Sequence, residues 1–149
     1  MELETKRLII NHFDESDIEV WAAIESDPEV RKFVDNKALT FKEAKAYVLE
    51  NIESYRINGY GRYAVREKSN NNLVGMCGFL DDEFGLDLGY RYSRNTWGRG
   101  IGTEAAKAVV ETARAQVAAA FGAEGADVVF TSGATEAAAL ALAGRGLVC

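Results

Sequence analysis

The chain has 149 residues, 48% hydrophobic and 27% charged, with 17 Lys and Arg against 23 Asp and Glu and a formal net charge of −6. That length and apolar content suffice for one domain with a substantial core, and the acidic balance argues against a general nucleic-acid binder. One histidine and two cysteines give little support to a zinc cluster, a serine triad or a disulfide framework; without a leader-like segment or an eighteen-residue apolar span, the expected setting is the cytoplasm, away from membranes.

In chain order, Lys6 to Phe13 alternates as an opening strand, and His12 reads as a strand-end or core residue. Asp14-Glu15-Ser16-Asp17 forms a capped, acid-rich first turn of a helix carrying Ile18, Trp21, Ala22 and Ile24. After Asp27-Pro28, Ala44, Tyr47, Val48, Ile52 and Tyr55 recur at three- and four-residue spacing, which predicts an amphipathic helix over Phe41 to Ile57, stopped by Asn58-Gly59. Tyr60 to Glu67 and Leu73 to Leu80 are two strands across a Ser69 to Asn72 turn, with Cys77 in the strand pattern as a core thiol. An acidic loop, Asp81 to Glu83, precedes a further strand, Leu86 to Ser93. The aromatics Trp21, Phe33, Phe41, Tyr55, Tyr60 and Tyr63 read first as core, with the lining of a ligand cleft as the alternative.

Trp97-Gly98-Arg99-Gly100-Ile101-Gly102-Thr103 then joins that strand to a long helix. Glycines allow close backbone approach, and the first N–H groups of a helix lack intrahelical acceptors, so such a turn either cradles an anion such as pyrophosphate or is a plain connector. Arg94 and Arg99 flank it and are candidates for bonds to phosphate oxygens. Gly102 is followed by Thr103-Glu104 rather than Lys-Ser/Thr, which excludes a P-loop, and the several strands ahead of the turn argue against a dinucleotide fingerprint.

The order β-α-α-β-β-β before a Gly-rich turn and helix, with Leu73-Val74-Gly75, Leu88-Gly89-Tyr90 and Trp97 through Ala105, resembles the GNAT superfamily of acyl-CoA N-acetyltransferases over about residues 3–113. It looks most like the ribosomal-protein N-terminal acetyltransferase branch, where Trp is usual at the position of Trp97. The resemblance implies an α/β (α+β) fold: a mixed, mostly antiparallel twisted sheet with helices on both faces, in the order β-α-α-β-β-β-α-β-α. It further implies acetyl-CoA as co-substrate, no metal, and an acceptor that is a small-molecule or peptide amine. The backbone of Tyr90, Arg91 and Tyr92 would pair with pantetheine, and Trp97, Gly98, Arg99, Gly100, Ile101, Gly102 and Thr103 would hold the pyrophosphate. Asp87 lies near where the family often has a basic glutamate, and reads equally as a polar residue of a half-exposed strand. Asp81, Asp82 and Glu83 read as a solvated loop, or as an attractor for a cationic amine.

Near residue 113 the composition changes. Nine alanines fall in residues 1–112 and thirteen in residues 113–149, while Lys and Arg drop from fifteen to two. The family usually continues with an Asn-containing turn and a helix bearing a tyrosine able to act as general acid, but this chain has no Asn after Asn95 and no Tyr after Tyr92. Instead Arg114 to Ala118, Phe121 to Ala123 and above all Val128 to Ala137 resemble an early segment of cysteine desulfurases over about residues 114–144, with Ser132 to Thr135 as the stretch that meets pyridoxal phosphate. The only Lys after Thr103 is Lys107, so a complete pyridoxal enzyme is excluded. The expectation is one acetyltransferase-like domain over residues 1–149 with a seam at 113–114 and a grafted helix–strand–helix: a helix Gly102 to Phe121, a strand 127–131 and a helix 135–143. The apolar face of the first of these slips from Ile101, Ala105, Ala108 and Val109 to Ala113, Val117, Ala120 and Phe121. With the final strand missing or supplied by a partner, the strand 127–131 becomes an edge that invites a homodimer or domain-swapped assembly. Three functions stand: an acetyl-CoA-dependent N-acetyltransferase, an inert chimera that keeps the fold and CoA binding, and a phosphate- or pyridoxal-phosphate-binding remnant.

Overall fold

Capping residues and glycines divide the chain into its elements, seen here in a computed structural model that describes residues 2–82, 85–120 and 122. Two compact units are distinguished, Met1–Val110 and Glu111–Cys149.

In the first unit the chain begins with a tight pair, β1 (Leu3–Glu4) and β2 (Leu8–Asn11), rather than one strand from Lys6 to Phe13. The Thr5 hydroxyl makes the break by accepting from the Leu8 N–H at 3.0 Å, while the Thr5 N–H donates to the Leu8 carbonyl at 2.9 Å. Asp14 caps the next turn as expected, taking the Ser16 N–H at 2.7 Å while Asp17 takes the Asp14 N–H at 3.0 Å. α1 (Ile18–Glu25) follows, and then a short α2 (Pro28–Arg31) that the sequence reading passed over. Its signal was Asp27-Pro28: an Asp accepting from the Glu29 N–H at 3.0 Å, with proline at the first helical position. α3 (Phe41–Asn58) starts in a Thr40/Glu43 capping box and ends at Gly59, whose φ of 79° is the left-handed conformation glycine adopts without strain.

The remaining strands are β3 (Arg62–Glu67), β4 (Leu73–Asp82) and β5 (Gly85–Tyr92). The five strands are antiparallel neighbours in chain order. Asp81 and Asp82, expected in a loop, belong to β4, because the β4–β5 ladder runs on through Asp81↔Leu86 to Asp82↔Gly85. Between β3 and β4 the register jumps from Val65↔Gly75 to Arg66↔Leu73, so Val74 is an extra residue, a bulge. The bulge lets Leu73 join the core on the α1–α3 side while Val74 joins the core on the other.

Helices thus cover both faces, as the resemblance implied. Trp21, Ile24, Val48, Ala64 and Met76 form one core with α1 and α3. Leu8, Ile10, Val65, Cys77 and the first half of α4 (Ile101–Ala120), through Ile101, Ala105 and Val109, form the other. Cys77 is fully buried in this second core, as the strand pattern implied, and burial pushes its thiol up to about 11. His12 stacks on Tyr55 with ring centres 4.1 Å apart, and burial lowers its pKa. The observed order is therefore β-β-α-α-α-β-β-β-α among the described residues, with one strand and one short helix more than expected over that stretch.

Of the second unit the description covers Glu111–Ala120, the second half of α4, and Gly122. The helix runs without a break through residues 113–114. Ala118 is its buried position, whereas Val117 and Ala120, placed on the slipped apolar face, are exposed. The strand 127–131, the helix 135–143, Cys149 and the dimer edge built on that strand lie outside the described residues.

Candidate functional site

β5 is the last strand of the sheet, and among the described residues its outer edge has no strand partner. Such an edge presents backbone N–H and C=O groups to whatever lies alongside. At its end the Ser93 N–H bonds the Val74 carbonyl at 2.9 Å, Thr96 Oγ1 bonds the Ser93 carbonyl at 2.7 Å, and the Trp97 indole N–H bonds the Tyr92 carbonyl at 2.9 Å. The chain then turns through Gly98 (φ 72°) and Gly100 (φ 74°), a conformation that disfavours any side chain, and enters α4. The Glu104 N–H bonds the Gly100 carbonyl at 3.1 Å. By helix geometry the N–H groups of Ile101, Gly102 and Thr103 are left without an intrahelical acceptor. The Tyr92 ring packs so close to Gly102 that a Cβ there would lie 3.1 Å from it.

A cleft of about 600 Å³ runs along this edge and turn. It is lined by Leu88 to Tyr92 of β5, by the turn from Thr96 to Thr103 apart from Arg99, and by Val30, Phe33 and Val34. Phe33, Tyr90 and Trp97 are exposed at its margin, so Phe33 belongs to the cleft rather than the core, while Trp21 and Tyr63 are core as first read. Phe41 is exposed as well, and lies away from the cleft lining.

Nine of the ten residues expected to meet the cofactor line this cleft: Tyr90, Arg91, Tyr92, Trp97, Gly98, Gly100, Ile101, Gly102 and Thr103. Arg99 does not. Its guanidinium pairs with Glu67, and its carbonyl accepts from Arg7 Nη1 at 2.8 Å. Arg94 pairs with Asp27 at 2.7 Å. Both flanking cations, candidates from the sequence for bonds to phosphate oxygens, are engaged by carboxylates that lie far away in the chain.

Asp87 sits two residues before Gly89 and outside the cleft lining. Its Oδ2 accepts from Arg62 Nη2 at 2.8 Å. Arg62 is buried, donates through Nη1 to the Gly78 carbonyl at 3.0 Å, and is fixed at its own N–H by Asn51 Oδ1 at 2.8 Å. Gly89 is required by this arrangement, since a Cβ there would fall 1.6 Å from Arg62 Nη1.

Sequence reasoning also missed Glu25. This carboxylate is fully buried, and its Oε2 accepts from Arg31 Nη1 at 2.8 Å and from Arg91 Nη1. Arg91, a cleft residue of β5, lies with its Cζ 5.9 Å from the Trp21 ring centre and 5.8 Å from that of Tyr47. Arg31 is also bonded to the Lys37 carbonyl at 2.9 Å and to Asp35 at 2.5 Å. Glu25 therefore ties the Val30–Val34 wall to β5. The available signal was a carboxylate at the apolar spacing of Ile18, Trp21 and Ala22.

Among the described residues no cluster of His, Cys, Asp and Glu is placed to hold a metal ion, and no helix is long and apolar enough to cross a membrane.

Comparison with known proteins bears on this geometry. Residues 7–143 match the Acetyltransferase (GNAT) domain. An uncharacterized N-acetyltransferase, p20 of Bacillus licheniformis, is 29% identical over 113 residues, covering 73% of this chain and 64% of that protein. The chain thus spans less than two thirds of that relative's length. A GNAT-family acetyltransferase from Bacillus anthracis superposes with a TM-score of 0.68 at 24% identity, over 78% of this chain and 68% of that one. RimL, a ribosomal alpha-N-protein acetyltransferase solved in complex with coenzyme A, superposes with a TM-score of 0.62 at 17% identity, over 78% and 69%. These two likenesses establish the fold. The domain match extends across residues 113–114 and takes in nearly all of the stretch read as desulfurase-like, whose Ser132 to Thr135 lie outside the described residues.

Proposed function

Because the chain belongs to the GNAT acetyltransferase family, we propose that it moves an acetyl group from acetyl-CoA to a primary amine, on a protein N-terminus or a small molecule, in the cytoplasm. The observation that carries this reading is the continuity of the cleft from the open β5 edge to the amides of the glycine turn. Pantetheine amides suit the first, as an added strand would. Pyrophosphate suits the second, where N–H groups and the α4 dipole favour negative charge. Here the main chain of Gly98 to Thr103 holds the anion, with the side chains of Arg94 and Arg99 paired to Asp27 and Glu67 at its flanks.

In the reaction the neutral amine nitrogen attacks the thioester carbonyl, the C–S bond breaks, the amine loses a proton and the thiolate gains one. We assign proton removal, through water, to Asp87, whose carboxylate is half-exposed and bound to Arg62 through one oxygen. Asp87→Asn is expected to lower kcat without changing the KM for acetyl-CoA; unchanged kcat refutes the assignment.

A second reading, a protein that holds CoA without turnover, rests on the change of composition near residue 113, where Lys and Arg drop from fifteen to two and alanines rise from nine to thirteen. Calorimetric titration with acetyl-CoA, paired with a thiol-release assay on peptide and polyamine acceptors, separates the two. Saturable binding with thiol release supports the transferase, and binding with no release selects the second reading. No heat at near-millimolar acetyl-CoA refutes both.

A further inference from the structure

Arg7 touches the glycine turn from behind. The β1–β2 turn carries it there, more than ninety residues away in sequence, and it makes three contacts. Its Nη1 donates to the Arg99 carbonyl at 2.8 Å, its Nε donates to Glu104 Oε2 at 2.7 Å, and its main-chain N–H donates to Glu104 Oε1 at 2.9 Å. Thr5 Oγ1 adds a bond to Glu104 Oε1 at 2.5 Å. Arg7 itself is not among the residues that line the cleft.

Two consequences follow from elementary geometry and charge. A trans peptide points its carbonyl and its N–H in opposite directions. Fixing the Arg99 carbonyl on Arg7 therefore turns the Gly100 N–H away from Arg7, on the residue that does line the cleft. Glu104, in the first turn of α4, would otherwise bring a negative charge beside any anion held by the same turn. Arg7 compensates that charge at contact distance.

We propose that Arg7 is a positioning residue for the pyrophosphate of CoA, acting through the Arg99–Gly100 peptide and through Glu104 without touching the ligand. The inference rests on the reading of the turn as the pyrophosphate site. It assigns to Arg7 an effect restricted to ligands that carry the pyrophosphate.

The test compares three probes on the full chain: CoA, 3′-phospho-ADP and S-acetylpantetheine, the last lacking the pyrophosphate, with dissociation constants from calorimetry or, for the weakest, NMR titration. Arg7→Gln is expected to weaken CoA and 3′-phospho-ADP at least about tenfold, the scale of one lost charge-assisted bond, and to leave S-acetylpantetheine within about twofold. CoA affinity within twofold of wild type overturns the proposal. An equal loss for all three probes also overturns it, since that is what a merely structural role produces. If Arg7→Gln does not fold, Arg7→Lys keeps the charge near Glu104 but not the fork that reaches both partners; a smaller loss with the same restriction supports the proposal, and no loss overturns it. A wild-type chain that binds none of the probes overturns the function reading and this inference together, whereas wild-type binding with an unselective variant overturns this inference alone.

Discussion

Replacing Glu25 by Ala is the most informative perturbation of the scaffold. The carboxylate is fully buried and serves two guanidinium groups, Arg31 with its side chain 7% exposed and Arg91 with 14%. Removing one partner of a buried ion pair costs about 3–5 kcal/mol, because a charge is left desolvated and uncompensated. Arg31 keeps Asp35 and the Lys37 carbonyl, so the residue stranded is Arg91, whose side chain retains, among the described residues, the faces of Trp21 and Tyr47. Ring contact with a desolvated cation offsets up to about 2 kcal/mol but is already present in the wild type. The expected loss is therefore about 3 kcal/mol, a large fraction of the 5–15 kcal/mol typical of a domain. Urea denaturation followed by far-UV circular dichroism measures it as a lower midpoint at unchanged slope. A double variant, Glu25→Leu with Arg91→Met, leaves no buried charge unpaired at this contact and is expected to recover to within about 1 kcal/mol of wild type. A loss under about 1 kcal/mol for Glu25→Ala, or a double variant weaker than the single one, refutes the argument.

Three further outcomes are expected. Gly89→Ala drives Arg62 off the Gly78 carbonyl and Asp87, at a cost of about 2–3 kcal/mol, read as a lowered thermal midpoint; an unshifted midpoint shows that the guanidinium relocates freely. Gly100→Ala, at a φ of 74°, is expected to cost about 1–2 kcal/mol and to weaken CoA binding, whereas retained affinity removes the turn from the site. Glu43 is held down to about 2, against an ordinary 4.5, first by the Lys37 ammonium and then by the Thr40 cap bonds. Its folded pKa is depressed, so the stability it contributes is complete above pH 4.5 and is lost as the pH falls through about 2. Glu43→Gln is expected to flatten the unfolding curve between those limits, and an identical acid limb refutes the assignment.

Local chemistry made part of this molecule readable. α3 is legible in the spacing of Ala44, Tyr47, Val48, Ile52 and Tyr55 and in its stop at Asn58-Gly59, and the Thr40/Glu43 box that starts it acts over three residues. The glycine turn is likewise a local instruction, since Gly98 and Gly100 adopt the left-handed values their identity permits. Errors arose where a distant partner decides. Nothing near Arg99 in sequence announces that Glu67 takes its guanidinium, nor does anything near Arg7 point to Glu104. Asp81 and Asp82 carry the composition of a loop, yet the ladder that begins at Gly75↔Tyr92 leaves them paired. Glu25 lies on the apolar stripe of α1, and the partners that account for it come from α2 and β5, out of reach of any local pattern.

The bulge at Val74 has a consequence for insertions and deletions. Val74 is the residue that breaks the ladder with β3, and its carbonyl is also the one that receives the Ser93 N–H. One residue is thus both the extra side chain that the β3–β4 ladder sends to the α4 face and the acceptor that marks where β5 ends and the turn begins. Deleting a residue from β4 between Gly75 and Asp82 would change the length of one strand against both neighbours. Deleting Val74 would straighten the β3–β4 ladder, leave Leu73 opposite Arg66 on the α1–α3 face, take one side chain out of the core on the α4 face and hand the Ser93 N–H to a different carbonyl. The cleft is in this sense counted out along β4, and the chain can exchange side chains at many of these positions more readily than it can lose one of them.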